Sequence, residues 1–122
     1  MTAPLIPGGW QLGAVVYNLE ADQGGTVELP VAVTESDGTA SDLTGYTGEM
    51  QVWSSYASDA VLLATAPVDV DEDAGVVTGT IAGADTLTAT WRSGVYDLVI
   101  TNGTTPEYLA RGVIRLRPTV TR

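Results

Sequence analysis

The stretch from Gly94 to Arg117 constrains the fold of this chain more than any other. Two runs rich in β-branched and aromatic residues, 94–101 and 107–117, flank Asn102-Gly103. This arrangement is the strongest short-range signal for a β-hairpin, because Asn and Gly tolerate the positive φ angles of a type I′ turn. Alternation along the two runs predicts one inward-facing set of side chains: Tyr96, Leu98 and Ile100 on the outgoing strand, and Tyr108, Ala110, Gly112, Ile114 and Leu116 on the return.

The opposite face of the return strand carries Arg111, Arg115 and Arg117, and only two further positive side chains exist, at 92 and 122. Residues 1–91 contain thirteen acidic residues and no Arg or Lys, and the net charge is −10. This balance argues against free nucleic acid as a partner, since such binding depends on neutralised phosphates. Either the arginines pair with acids on an adjacent strand, or they dock on an acidic patch of a neighbouring subunit, where head-to-tail contacts between copies would give rings or lattices. The acidity of the body is equally well explained by solubility alone.

The composition excludes several kinds of chemistry. Without Cys, His or Lys, the chain cannot form Ser-His-Asp or Cys-His catalytic sites, disulfides, thiolate metal sites or a Walker lysine. Nothing places two carboxylates in an aromatic-lined cleft, as glycoside hydrolysis would need. An acidic stretch offers hard oxygen ligands for Ca²⁺, but it lacks the final Glu of an EF-hand loop, so a solvated loop is preferred; it contains Asp69, Asp71, Glu72 and Asp73. We therefore expect no enzymatic activity, no cofactor and no metal.

Alternation and turn residues divide the rest of the chain into short elements. Strands are predicted at 10–19, 26–34, 46–53, 60–64 and 75–82, an acidic loop at 67–73, and one short helical turn near 84–88. With the hairpin, this makes about seven antiparallel strands, a pattern that points to an all-β sandwich. The chain is expected to hold one domain, 10–122, preceded by an extended N-terminal arm, 1–9.

The arm contains Leu5 and Ile6 between two prolines, and Trp10 follows it. Prolines exclude a regular element, so the arm is expected to fray, to pack back on its own domain or to insert against a neighbour. It has no positive region of the kind that begins a secretory signal, and no apolar run reaches the ~20 residues of a membrane span.

Trp53 falls on the polar face of its predicted strand. Loop 54–60 is long enough to cover it, and otherwise Trp53 is available to a partner. Together with Tyr56 or Trp91, it could also provide a stacking platform for a carbohydrate.

Several segments between residues 22 and 122, taken in their order along the chain, form a recognisable pattern. They are Asp22-Gln23-Gly24-Gly25-Thr26, Ser36-Asp37-Gly38-Thr39, the run from Asp42 to Val52, Ala84-Asp85-Thr86, Val95-Tyr96-Asp97-Leu98, Arg111-Gly112-Val113-Ile114 and the ending Pro118-Thr119-Val120-Thr121-Arg122. In order and spacing they resemble the immunoglobulin-like N-terminal domain of upper baseplate (BppU-type) proteins of tailed phages, and small virion proteins of that type. The resemblance implies an immunoglobulin-like β-sandwich and a structural role in a virion.

The expected function is therefore a non-enzymatic structural component of a tailed-phage virion, assembled in the bacterial host cytoplasm. It would sit in the tail, baseplate or head–tail region and dock through its arm and an Arg-bearing edge strand. The interface residues expected are Leu5, Ile6, Trp10, Trp53, Arg111, Arg115 and Arg117. The expected partners are other phage structural proteins, in multiple copies within a symmetric assembly, with neither nucleic acid nor membrane. Because the chain ends with the domain, capsid decoration is an alternative, and a carbohydrate-binding module on the particle surface is another.

Overall fold

The computed structural model of the chain describes residues 5–7, 15–35 and 37–120. Strands hold 57% of these residues and helix 5%, so the protein is all-β. The elements in the described ranges are β1 Leu5–Pro7, β2 Val15–Val16, β3 Leu19–Asp22, β4 Val27–Thr34, β5 Thr47–Trp53, β6 Leu62–Ala66, β7 Val68–Asp71, β8 Val76–Ile81, α1 Gly83–Leu87, β9 Ser93–Asn102 and β10 Thr105–Arg117. None of the helical structure described here is long and apolar enough to cross a membrane.

The strands form two sheets. Sheet 1 has the order β1-β4-β8-β7, and sheet 2 has the order β2-β10-β9-β5-β6, with β3 also paired to β10. The seven strands from β4 to β10 pair with one another antiparallel, whereas β1, β2 and β3 pair parallel to their neighbours. If β4, β5, β7, β8, β9 and β10 are equated with strands B to G, the two sheets have the ABED and CFG orders of immunoglobulin domains. The predicted sandwich of about seven antiparallel strands is confirmed, and so is the short helical turn.

The core lies between the sheets and is filled by alternating side chains. In β4, the inward set of Val27, Leu29, Val31 and Val33 is at most 3% exposed. Sheet 2 contributes a matching fully buried set of Met50, Val52, Leu98, Ile100 and Ile114. Each such side chain contributes about 1.5–3 kcal/mol when it leaves water, so this alternation fixes which face of each strand points outward.

The closing hairpin forms with two differences from its predicted geometry. Asn102 pairs with Thr105, so the two-residue loop is Gly103-Thr104, and Gly103 has φ +69°. A positive φ at the first loop residue alone is the pattern of a type II′ turn, not the predicted type I′. The prediction that Tyr108 faces inward is wrong, because the register shifts between Tyr108 and Ala110 and buries Leu109, which leaves Tyr108 49% exposed.

Two further expectations are corrected. Part of the predicted loop 67–73 is strand β7, in which Val68 and Val70 turn half-buried toward the core while the strand pairs with β8. The Arg-bearing strand β10 is not an edge strand, because β9 lies on one side of it and β2 and β3 on the other. From the predicted first strand 10–19, residues 10–14 lie outside the described residues, and the described part contains β2 and the first residue of β3.

The N-terminal strands are attached to the hairpin by a small hydrogen-bond network. The hydroxyl of Tyr96 donates to the carbonyl of Tyr17, and the amide of Val113 donates to Asn18 Oδ1 at 3.0 Å. Gly112 leaves room for this contact, since a Cβ there would lie 2.6 Å from the carbonyl oxygen of Tyr17. The crossover between β2 and β3 is therefore held against β10.

A second network joins α1 to the turn before β4. Thr86 is fully buried; its hydroxyl donates to the carbonyl of Gly25 at 2.7 Å and accepts from the amide of Gly24 at 3.0 Å. Gln23 Nε2 donates to the carbonyl of Leu87 at 3.0 Å. These bonds close one end of the sandwich.

Candidate functional site

The outer face of sheet 2 carries a row of apolar side chains that crosses four strands. The strand registers place Val113 beside Val95, Val95 beside Trp53, and Trp53 beside Leu62. We call these four residues the apolar row. Val113 is 39% exposed, Trp53 37% and Leu62 44%. Alternation forces this placement for Val113, Val95 and Trp53, because Ile114, Tyr96 and Val52 beside them fill the core. Leu62 lies opposite Trp53 after a register shift that skips Leu63.

A polar row runs next to the apolar row. The same registers align Arg111, Asp97, Gln51 and Thr65, which we call the polar row. Burial raises the pKa of Asp97, and the negative charge of nearby Glu49 adds a smaller increase. The indole N–H of Trp53 donates to Gln51 Oε1 at 3.1 Å, which links the two rows.

The three predicted arginines have different surroundings. Arg117 lies at the end of β10 beside β3, where it pairs with Glu20 and with Asp22, whose Oδ1 is 3.0 Å from Arg117 Nε. The hydrogen bond and negative charge of Asp22 raise the pKa of Arg117, and the charge of Glu20 adds a smaller increase. The pairing is solvent-exposed, so it contributes little to stability. The sequence allowed the arginines either to pair with acids on an adjacent strand or to dock on a neighbouring subunit, and for Arg117 the pairing with an adjacent strand is observed.

Arg111 and Arg115 are exposed and form no ion pair with any residue that the structure describes. Arg111 is flanked in register by Val16 and Asp97, and Arg115 by Glu20 and Ser93. Both side chains point out of sheet 2 on either side of Val113. The result is a pair of cations at one end of the apolar row.

Two of the three predicted aromatic residues lie together, and the third lies elsewhere. Trp53 and Tyr56 line a small cavity of about 60 Å³ together with Gln51, Val95 and Asp97, and Tyr56 is 70% exposed. Loop 54–60 thus covers Trp53 only in part. Trp91 instead packs partly against the core and lines a separate open groove of about 380 Å³ beside β6.

The predicted arm residues are remote from the apolar row. Leu5 and Ile6 belong to β1, which pairs with Ala32–Thr34 of β4 at the edge of sheet 1. The expectation that the arm contains no regular element is therefore wrong, because a strand at a sheet edge tolerates a proline. Trp10 lies outside the described residues. The structure therefore brings together Trp53, Arg111 and Arg115 on one face, whereas Leu5 and Ile6 lie in the other sheet.

The sequence interpretation missed Val113, Val95, Leu62 and Asp97 as parts of this face. One signal was available, since the alternation that turned Arg111 and Arg115 outward also turns Val113 outward. The row itself depends on the pairing of distant strands, which a single sequence does not show.

The acidic stretch is spread along strand β7 and the turn after it. Asp69 and Asp71 point outward from β7, and the amide of Ala74 donates to Asp71 Oδ1 at 3.1 Å. Within residues 5–7, 15–35 and 37–120, no group of three or more acidic side chains is placed to hold a metal ion.

Models of known protein families do not match this chain, and no curated protein matches it either.

Proposed function

We propose that this protein is a non-enzymatic structural subunit of a tailed-phage particle that docks on neighbouring subunits through the outer face of sheet 2. The observation that carries the docking role is the apolar row, in which Val113, Trp53 and Leu62 are exposed and Val95 is half-buried, and which Arg111 and Arg115 border at one end. The resemblance to immunoglobulin-like virion domains supports the phage setting. A tail, baseplate or head–tail position is proposed first, and capsid decoration is the alternative.

The chemistry of the face defines the partner surface that it fits. The apolar row would supply contact area that leaves water on docking, as contiguous apolar patches do at protein interfaces. Arg111 and Arg115 present planar guanidinium groups that suit carboxylates on the neighbour. Such charges fix the register and orientation of the docked subunit more than its affinity. The proposed neighbour is therefore an apolar surface with acidic residues at one end, present in multiple copies.

Incorporation into particles tests this proposal. A tagged copy of the chain is supplied from a plasmid during growth of the phage that encodes it, and purified particles are analysed by immunoblot and immuno-electron microscopy. We expect the wild-type chain in particles, and at least about tenfold less of the double variant Arg111→Glu with Arg115→Glu. Arg92→Glu is the matched control, because Arg92 is exposed and lies outside both rows.

Two results would overturn the proposal. One is the absence of the wild-type chain from purified particles although it is abundant in the lysate. The other is equal incorporation of the double variant and the wild type.

The N-terminal arm is proposed as a second contact, through Leu5, Ile6 and Trp10. Deletion of residues 1–9 should abolish incorporation while the isolated domain still unfolds cooperatively. Unchanged incorporation of the deleted chain would exclude a role for the arm in docking.

A carbohydrate-binding module is the second candidate function, because Trp53 and Tyr56 line one cavity beside the polar Gln51. The cavity of about 60 Å³ is small compared with the ~300–1,000 Å³ of typical ligand pockets, so a sugar ring would have to stack across its rim. Binding on a glycan array that is lost in Tyr56→Ala would support this role. No binding on the array would end it.

A further inference from the structure

The small cavity on the outer face of sheet 2 combines two aromatic side chains with a carboxylate. It measures about 60 Å³, and Trp53, Tyr56 and Asp97 are among the residues that line it. These residues come from β5, from the loop after β5 and from β9, and the pairing of β5 with β9 sets Gln51 beside Asp97 and Trp53 beside Val95. The strand register therefore brings the aromatic rings and the carboxylate to one place.

The carboxylate of Asp97 is half-buried and has no ion-pair partner among the residues that the structure describes. Arg111 lies beside it in register on β10 but forms no ion pair with it, and the cavity lies on the opposite side of Asp97, toward β5. Burial raises the pKa of Asp97, and the charge of Glu49 adds a smaller increase, as expected for a carboxylate without a compensating cation. A cation in the cavity would supply the missing charge.

The two aromatic residues are accessible to a ligand, since Trp53 is 37% exposed and Tyr56 70%. The hydrogen bond from the indole N–H of Trp53 to Gln51 Oε1 holds the indole ring beside the cavity. The face of an aromatic ring attracts a cation within about 6 Å of its centre, and Trp does so most strongly. Two aromatic rings and an unpaired carboxylate together form the combination of groups that binds an organic cation.

The size of the cavity and the charge of the chain narrow the choice of ligand. A cavity of about 60 Å³ admits a group of a few heavy atoms, such as an ammonium head, and is far below the ~300–1,000 Å³ of pockets that enclose a whole ligand. The net charge of −10 raises the concentration of cations near the surface. The chain contains no Lys, so the ammonium group has to come from another molecule.

We propose that this cavity binds the alkylammonium group of another molecule, with the cation against the rings of Trp53 and Tyr56 and paired with the carboxylate of Asp97. The apolar part of the ligand would extend along the apolar row toward Leu62, which lies beside Trp53. A lysine side chain of a neighbouring protein and a free quaternary ammonium compound such as choline carry the same chemistry. The site belongs to the isolated chain, so the inference does not rest on the docking role proposed above.

Two-dimensional amide NMR spectra of the full chain at pH 7 test the inference, with the ionic strength held constant by sodium chloride. The two probes are choline and a lysine that is acetylated at its α-amino group and amidated at its carboxyl group. We expect a Kd of about 1–10 mM for at least one probe, with the largest shifts at the indole N–H of Trp53 and the amides of Ser55 and Tyr56. The probe that binds more tightly distinguishes a free quaternary ammonium ligand from a lysine side chain.

Two variants assign the binding to the cavity. Tyr56→Ala removes one ring, and Asp97→Asn removes the charge but keeps the shape of the side chain; each should weaken binding about threefold or more. Tyr108→Ala is the matched control for the ring, because Tyr108 is 49% exposed and lies outside the cavity. Asp69→Asn is the matched control for the charge, because it removes an equal charge from β7 of sheet 1. Both controls should bind like the wild type, and the amide spectra establish that all four variants fold.

Three results would overturn the inference. The first is that neither probe causes shifts beyond those of sodium chloride. The second is that the uncharged analogue of choline, in which a carbon atom replaces the nitrogen, causes equal shifts. The third is that Asp69→Asn weakens binding as much as Asp97→Asn, which would assign the binding to the overall charge. None of these results involves Arg111 or Arg115, so they leave the particle-incorporation test unaffected.

Discussion

Replacement of Tyr96 by Phe removes one hydrogen bond and nothing else from the centre of the sandwich. Tyr96 is 2% exposed, and its hydroxyl donates to the carbonyl of Tyr17 in the crossover between β2 and β3. The ring stays in place in the variant, so the packing of the core is conserved. The carbonyl of Tyr17 also packs against Gly112, where a Cβ would lie only 2.6 Å away, so a water molecule has little room to replace the hydroxyl.

The cost follows from that geometry. A buried acceptor that loses its donor costs about 1–3 kcal/mol, compared with about 0.5–1.5 kcal/mol for the net value of an ordinary hydrogen bond. We expect Tyr96→Phe to lower the free energy of unfolding by about 2 kcal/mol. With a urea dependence of about 1–3 kcal/mol per molar, the midpoint should fall by about 1 M.

The pH dependence of this loss provides a second test. Burial raises the pKa of Tyr96 well above its usual value of about 10. Above pH ~10 the unfolded chain therefore releases a proton that the folded chain keeps, so the contribution of Tyr96 to stability falls as the pH rises. The variant has no such proton, and the difference between wild type and Tyr96→Phe should be constant below about pH 9 and shrink above pH 10.

Urea unfolding followed by tryptophan fluorescence measures both effects. Tyr56→Phe is the matched control, because Tyr56 is 70% exposed, and its unfolding midpoint should match that of the wild type. A midpoint for Tyr96→Phe within experimental error of the wild type would refute the reasoning. So would a difference that grows above pH 10.

Three further substitutions test other parts of the structure by the same urea titration. Thr86→Val keeps the shape of the side chain but leaves the carbonyl of Gly25 without its donor, and should lower the free energy of unfolding by about 1–3 kcal/mol. Thr88→Val, at an exposed position, should lower it much less, and equal losses in the two variants would contradict this reasoning. Asp97→Asn should stabilise the protein at pH 7 and have no effect near pH 3. The pKa of Asp97 is raised by folding, so folding penalises the charged carboxylate at pH 7, and this penalty vanishes once the pH is below the pKa of the unfolded chain. A destabilised variant at pH 7 would show instead that the carboxylate is favourably paired. Arg117→Ala should leave the urea midpoint close to that of the wild type, because the pairs of Arg117 with Glu20 and Asp22 are exposed. A fall in the midpoint as large as that of Thr86→Val would show that the three residues form a cooperative network.

The parts of the fold that could be predicted from the sequence are those whose pattern is local. Strands β4 and β9 show strict alternation in single runs. The inward side chains predicted for β9 are buried, and the alternating set of β4 is buried in the same way. Such a pattern needs no knowledge of the partner strand, because each residue faces opposite to its neighbour.

The errors occur where pairing partners override the local pattern. In β7, Asp69 and Asp71 alternate with Val68 and Val70, and the acidic residues suggested a loop, but pairing with β8 makes a strand whose valines face the core. In β10, one extra residue at Leu109 reverses the direction of Tyr108. A bulge of this kind depends on the neighbouring strand, and its position cannot be read from one run of residues.

The candidate site shows the same limit more sharply, because its arginines differ only in what lies beside them. Arg111, Arg115 and Arg117 share one face of β10 and have the same chemistry, so the sequence could not separate a paired arginine from an unpaired one. The short strand β3 ends at Asp22 and meets only the last part of β10, where it supplies Glu20 and Asp22 to Arg117. Arg111 lies in register between Val16 of β2 and Asp97 of β9, and Arg115 between Glu20 of β3 and Ser93 of β9, yet neither arginine forms an ion pair with a residue that the structure describes. Among the arginines of β10, Arg117 takes both Glu20 and Asp22, so the two cations nearest the apolar row remain available to a partner.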